Sequence, residues 1–346
     1  VTSRLASSTA EHYGHRGRRP RSARLPSTRA TIIAWLIALL IFASVVALFV
    51  HVSELEELGR LLRHIRLMWL VMAAALQTLT YVCAAGVWVV ALPHRNRAIT
   101  IAALMPIALA MLFTNQAFPT AGLSGSVVVV RALRKRRVAT NQAMGALIVG
   151  LMTTYVAYLL AVIVSLVLLL VYHAVGAGLL LITTIFSLVA VGVPAAVIWY
   201  RESIAPRLRT RLTHVPGVGA LLKAIGAFPM GLLRNRAVIG RALAFQLTEI
   251  VLDAATLQVM LIAIGAQVPP TGVFASFVMA YAVSQLVPVP LGLGTFEAAL
   301  VGMLRLVGVP LEPAFTATLL LRAFTLWLPM APGLWFARRE LWPRRA

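Results

Sequence analysis

"FPTAGLSGSVVVVRALRKRR", residues 118–137, interrupts a chain that otherwise reads as apolar helix. Pro119, Gly122 and Gly125 break the helix leading into it, and a short apolar piece then runs into Arg131, Arg134, Lys135, Arg136 and Arg137. Proline removes a backbone donor and glycine opens unusual dihedrals, so such a break at membrane depth requires protein or a polar cavity to cover the exposed backbone. A second stretch, "VPVPLGLGTFEAALVGMLRLVG" at 287–308, has the same make-up. A helix restarting after either break points its unsatisfied N–H groups and positive dipole end into that cavity. Such an end suits an anion, including a phosphate.

Composition assigns the class. Of 346 residues, 60% are hydrophobic and only 12% charged, far more apolar surface than a soluble core can hide. The reading is an integral membrane protein. A formal charge of +21 resembles a nucleic-acid signature, but the basic residues fall in blocks between apolar runs rather than along one face, which makes them topology signals and excludes nucleic acid as a partner. Cys83 stands alone inside an apolar run, and the seven histidines lie in tails, loops or helix ends. No disulfide framework, metal centre or cofactor is therefore expected. "GLSGS" (122–126) lacks the Lys-Ser/Thr ending of a nucleotide loop, and no nucleophile–base–orienter arrangement stands out, so an enzyme is not expected.

About 20 residues are needed to span about 30 Å of hydrocarbon. Eight runs qualify, at 31–50, 67–92, 99–118, 141–172, 176–200, 241–266, 271–288 and 312–336, with shorter pieces at 123–137 and 295–308 directly after the two breaks. Residues 1–30 read as a disordered basic tail, with 31–50 a retained anchor rather than a cleaved signal. One transmembrane domain occupies 31–340, and 341–346 form a basic C-terminal tail. Of 31 Arg and Lys, 26 fall in the N-terminal tail, 93–98, 131–138, 201–241 or after 337. If both termini are cytosolic and the short pieces each cross most of the bilayer, all these blocks face the cytosol, as the positive-inside rule requires of a multi-pass plasma-membrane protein. The linker 201–240 mixes Arg with "VGALLKAIGAFPMGLL", which suits an interfacial helix.

The two breaks align. Pro119 and Pro288, Gly125 and Gly294, and Ser126 and Thr295 pair at an offset of 169, and the surrounding spans follow the same shift. Repeat one is then 67–172 and repeat two 241–336. One unpaired span separates them, so the copies enter the membrane from opposite sides. The expected fold is an all-α polytopic membrane protein with about eight transmembrane helices and two broken or re-entrant helices, arranged as inverted repeats.

The stretches "PVPLGLGTFEAALVGML" and "TLLLRAFTLWLPMAPGLWF" resemble the lysylphosphatidylglycerol synthase transmembrane-region family: a Pro/Gly turn ending in Gly with a nearby Glu, then a helix with Arg and a Trp-Leu-Pro segment. "NQAFPTAGLSGS…VRAL" is similar to that family's earlier turn. The resemblance covers roughly 31–340 and implies a flippase-like protein that moves lipids or lipid-linked groups between leaflets. The sequence stops at Ala346, so the soluble domain that transfers lysine from its tRNA is not expected. Translocation of an anionic phospholipid or lipid-linked headgroup is the expected activity. The alternatives are a secondary transporter of a small soluble anion and an accessory membrane subunit or enzyme of lipid-linked sugar assembly.

Ionisable residues inside spans are costly unless paired or facing water, and they mark the candidate site. Arg322, mid-helix, matches the family's Arg and is a candidate phosphate contact or ion-pair partner. Glu297, in the first turn after Gly294 and Thr295, either complements the helix dipole or pairs with Arg322; at the same offset its counterpart is Val128. Glu249 and Asp253, four apart on one helix face, are candidates for a proton-coupled pair or for Arg322 partners. Gly292 and Gly294 in the second break, and Gly122, Gly125 and Ser126 in the first, complete the candidate substrate site. Oligomeric state is not legible in the sequence.

Overall fold

The computed structural model describes residues 67–92, 99–117, 123–171, 176–202, 231–286 and 294–341. The tail 1–30, the run 31–50, most of the linker, the C-terminal tail and both break turns, with Gly122 and Gly292, lie outside the described residues.

Every described element is helical. In chain order they are α1 (Leu67–Ala91), α2 (Ile101–Ala117), α3 (Leu123–Lys135), α4 (Thr140–Val171), α5 (Ala177–Glu202), the single turn α6 (Gly231–Arg234), α7 (Arg236–Ala263), α8 (Pro270–Leu286), α9 (Thr295–Leu306), α10 (Leu311–Arg322), a π-helical turn (Ala323–Trp327) and α11 (Leu328–Leu341). Among the described residues five segments are long and apolar enough to cross a membrane: α1, α4, α5, α7 and the continuous run Leu311–Glu340. This differs from the eight expected spans. The run 31–50 is not described, and 99–118 and 271–288 form helices of only 17 residues. At 1.5 Å per residue each reaches about 25 Å, because a Pro/Gly break ends it before the far interface.

Several threonine hydroxyls inside these spans are satisfied locally, as a medium without water favours. Thr153 Oγ1 donates to the Val149 carbonyl at 2.9 Å, Thr154 to Gly150 at 2.8 Å and Thr183 to Leu179 at 2.6 Å, each one turn back. The lipid-facing sides are large and apolar, with Leu151, Ile163, Val167, Leu170, Leu181 and Leu188 exposed on α4 and α5.

Helix contacts give the topology. The most extensive pair is α1 against α7. Gln77 on α1 meets Asp253 on α7, and nine residues further on Gly86 meets Phe245, eight residues back, so the two helices run antiparallel. Gly86 permits that closeness: a Cβ there would sit 2.7 Å from the Phe245 ring. The helices α2 and α3 form one hairpin, and α8 and α9 another.

The two hairpins enter from opposite ends of the bundle. At one end Leu92, Leu104, Leu133, Val138, Ala143 and Ala242 share a buried cluster, and Arg136 reaches both the Ala103 carbonyl (3.5 Å) and Glu340 Oε1 (3.1 Å). Arg131, Arg134, Arg234, Arg236, Arg241, Arg338 and Arg339 also belong to the segments that converge there. At the other end, the loop after α7 and the loop after α9 line one shallow pocket, with Ile264 and Val268 facing Val307 and Val309. Arg305 lies at that end, in the last turn of α9. The α2–α3 hairpin thus starts and finishes at the basic end, and α8–α9 at the opposite end.

Candidate functional site

The break before α9 closes on itself through Glu297. Gly294 has φ +81°, a conformation that disfavours any residue with a Cβ, and it turns the chain into the helix. Its N–H donates to Glu297 Oε2 at 2.7 Å, so the carboxylate three residues into the helix reaches back over the first turn. The other oxygen, Oε1, accepts from Arg322 Nε on α10 at 2.6 Å. Arg322 Cζ also lies 4.2 Å from the centroid of the Phe296 ring, and Phe296 packs edge-on against Phe277 of α8. Glu297 is 1% exposed and the Arg322 side chain 13%. The pair is therefore a charge-assisted, largely desolvated bridge between the restarted helix and the following span. The π-helical turn begins directly after Arg322, an inserted residue of the kind found at functional positions.

Capping and ion pairing were read from the sequence as alternatives for Glu297; one carboxylate performs both. Arg322 takes its partner from α9 and not from α7: among the described residues no ion pair joins it to Glu249 or Asp253.

The first break is closed differently. Gly125 N–H donates to Asn115 Oδ1 at 2.9 Å, and Ser124 Oγ donates to the Thr114 carbonyl at 3.0 Å. A Cβ on Gly125 would fall 2.3 Å from Asn115 Oδ1, so glycine here answers a close approach. The amides of Gly125 and Gly294, both expected to face a ligand, are held by side chains of the chain itself.

The residue correspondence also shifts at the breaks. Before them α2 and α8 match at the offset of 169, Ile101–Ala117 against Pro270–Leu286. After them the helix ends match two residues later. Val138 N–H bonds to the Leu133 carbonyl, with Arg137 at φ +61°, where Val309 N–H bonds to Leu304, with Gly308 at φ +90°. The stretch between the paired helices is thus two residues longer at the second break.

Glu249 and Asp253 form a second charged locus where α7 crosses α1. Gln77 Nε2 donates to Asp253 Oδ1 at 3.3 Å and to Thr80 Oγ1 at 3.0 Å. Tyr158 of α4 and Tyr281 of α8 stack with centroids 4.0 Å apart beside the two carboxylates. Sequence reading missed Gln77, Tyr81, Tyr158, Tyr281, Asn115 and Phe296. Gln77 and Asn115 carried a signal, an amide side chain inside an apolar run; a tyrosine or phenylalanine in such a run carries none. Among the described residues no group of three His, Cys, Asp or Glu could hold a metal.

A sequence profile of the family described as Lysylphosphatidylglycerol synthase TM region matches residues 35–333. The chain belongs to this family. No curated protein matches it. As a member of the lysylphosphatidylglycerol synthase transmembrane-region family with several long apolar helices, it is an integral membrane protein. The matched region contains both hairpins, the Glu297–Arg322 bridge and the Glu249–Asp253 pair.

Proposed function

We propose that the protein is a lipid translocase that moves an anionic phospholipid or a phosphate-bearing lipid-linked headgroup between the leaflets of the plasma membrane. The observation that carries this reading is the Glu297–Arg322 bridge, held at a helix break inside a spanning bundle. A guanidinium there costs several kcal/mol to desolvate and contributes little to stability beyond what apolar packing would supply. A lipid phosphate is a bidentate acceptor that exchanges with the carboxylate for Arg322. Gly294, Thr295, Gly125 and Ser126 place two helix starts beside the path, and Gly122 and Gly292 belong to the same turns.

The repeats fit the same reading. Helices α1–α4 and α7–α11 are two inverted copies: α1 and α7 run antiparallel, and the re-entrant hairpins enter from opposite ends. Contacts between copies obey the exchange, α2 packing on α11 as α8 packs on α4. Such copies alternate access by rocking about a site near the midplane. The basic end is cytosolic by the positive-inside rule, which places both termini there. The family's name links this region to synthesis of a phospholipid, favouring lipid over a soluble anion as the cargo.

The test uses purified protein in liposomes carrying a fluorescent anionic phospholipid. Wild type should speed the loss of inner-leaflet protection, and Arg322→Ala with Glu297→Ala should slow it while the protein stays folded. Equal rates for wild type, the double variant and empty vesicles across several anionic lipids sink the translocase reading. Uptake of a soluble phosphate or carboxylate instead would move the assignment to a small-anion transporter.

A further inference from the structure

The carboxylates of Glu249 and Asp253 have no cationic partner among the described residues, in contrast to Glu297. The groups facing them come from every helix packed on α7. The helix α1 brings Gln77, Thr80, Tyr81 and Cys83, α4 brings Tyr158, and α8 brings Tyr281. The helix α10 carries Arg322, which binds Glu297, and Arg234 of α6 stands at the basic end. At this locus the Gln77 Oε1 acceptor, on a side chain 6% exposed, is buried without a hydrogen-bond donor, and the Tyr81 hydroxyl, one turn along α1, adjoins the same side chain.

Both carboxylates are half-buried within the bundle, and without a cation beside it such a group is costly to keep charged, so it takes up a proton or binds a cation. The orphan Gln77 acceptor decides between these. Gln77 Oε1 lacks a donor, which the O–H of a carboxylic acid, or a water held by it, supplies. A sodium or calcium ion would instead need about six oxygen ligands, and hydroxyls such as Tyr81 serve a hydrogen-bonded proton path better than a cation cage.

We infer that Glu249 and Asp253, with Gln77 and Tyr81, form a proton-binding site that couples translocation to the transmembrane proton gradient. The site lies where α1 crosses α7, each helix the other's counterpart in the two copies, so motion of one copy against the other passes through it. A proton arriving from the side of higher proton activity forms one O–H bond on a carboxylate oxygen. When the site opens to the other side that bond breaks, leaving the carboxylate. The residues Phe277 and Tyr281, one turn apart on α8, connect this locus to the Phe296–Arg322 contact. The coupling rests on the translocase reading; the proton site does not.

Dicyclohexylcarbodiimide modifies protonated carboxyl groups in apolar surroundings, and mass spectrometry maps the adduct without any transport assay. In wild-type protein in liposomes, Glu249 or Asp253 should be modified at least about tenfold more at mildly acidic than at strongly alkaline pH. Glu297, whose two oxygens are engaged by Arg322 and the Gly294 amide, should remain unmodified. Gln77→Leu should move the midpoint of the pH curve, which a purely structural amide would not do. Absence of modification at both acids, modification indifferent to pH, or protection by sodium at fixed pH would overturn the proton site. If translocation by wild type is unchanged by an imposed proton gradient, the coupling is overturned. If the gradient accelerates wild type several-fold but not Asp253→Asn or Glu249→Gln, the coupling stands.

Discussion

In the α2–α3 hairpin the amide of Gly125 is held by a neutral side chain, Asn115 Oδ1 at 2.9 Å, whereas in α8–α9 the amide of Gly294 is held by Glu297 at 2.7 Å, and that carboxylate binds Arg322. A neutral amide is therefore enough to hold an N–H in the first turn of such a helix. The ion pair at the second break carries a desolvation penalty that the Asn115 cap avoids, so capping alone does not account for it. The difference separates a side chain that stops an exposed N–H, common to both hairpins, from a buried charge, present at the second.

The all-or-none test of the comparison is topological. Cysteines replacing Arg134 and Arg305, both exposed, lie near the ends of the two short helices that follow the breaks. In a Cys83→Ala background an impermeant thiol reagent applied to intact cells should label position 305 and spare position 134. Labelling of both from outside would remove the inversion.

Arg322→Leu has the next largest effect. It leaves Glu297 buried and uncompensated and should cost about 3 to 5 kcal/mol, read by thermal unfolding in detergent. The Arg322→Leu/Glu297→Gln double variant should recover much of that loss, because glutamine still accepts the Gly294 amide without a charge. Equal losses for single and double variants would mean that Arg322 answers to other groups.

At the first break the corresponding damage is steric. Gly125→Ala drives a Cβ into Asn115 and should cost about 1 to 3 kcal/mol. Asn115→Gly should relieve the overlap in the double variant. If the alanine is tolerated, the α2–α3 contact is looser than 2.9 Å implies. The smallest change is expected at the basic end, where Lys135 Nζ lies 3.6 Å from the Glu340 carboxylate and donates to the Glu340 carbonyl, with its side chain 44% exposed. Lys135→Ala should cost less than about 1 kcal/mol and leave helix packing intact. A larger loss would show that the end of α11 depends on that contact.

Much of this architecture was legible in the chain itself. Apolar runs at 67–92, 141–172 and 176–200 match α1, α4 and α5 closely, because a helix in hydrocarbon must satisfy its own backbone and so extends as far as the apolar sequence does. Proline and glycine marked both breaks for the same reason. The helix α7 departs from this: it begins at Arg236, ahead of the run at 241, because Asn235 Oδ1 accepts from Ala237 and Val238 N–H and caps it there. The site was legible in its charges and not in its pairings. Of three acids offered to Arg322, only the fold selects Glu297.

Hydropathy, the two Pro/Gly breaks and the placement of arginine and lysine determined by themselves that this is a helical membrane protein with two interrupted spans, since each is a local or periodic property that a bilayer reads residue by residue. Tertiary structure alone decided that Asn115 closes one break and Glu297 the other, that Glu297 binds Arg322, and that Glu249 and Asp253 meet Gln77 at the crossing of α1 and α7. Those contacts depend on how helices rotate about their axes and where they cross. That rotation is set by packing at residues such as Gly86 and Gly333, whose missing side chains let Phe245 and the Leu109 carbonyl approach, and no pattern in the sequence states which neighbour will do so.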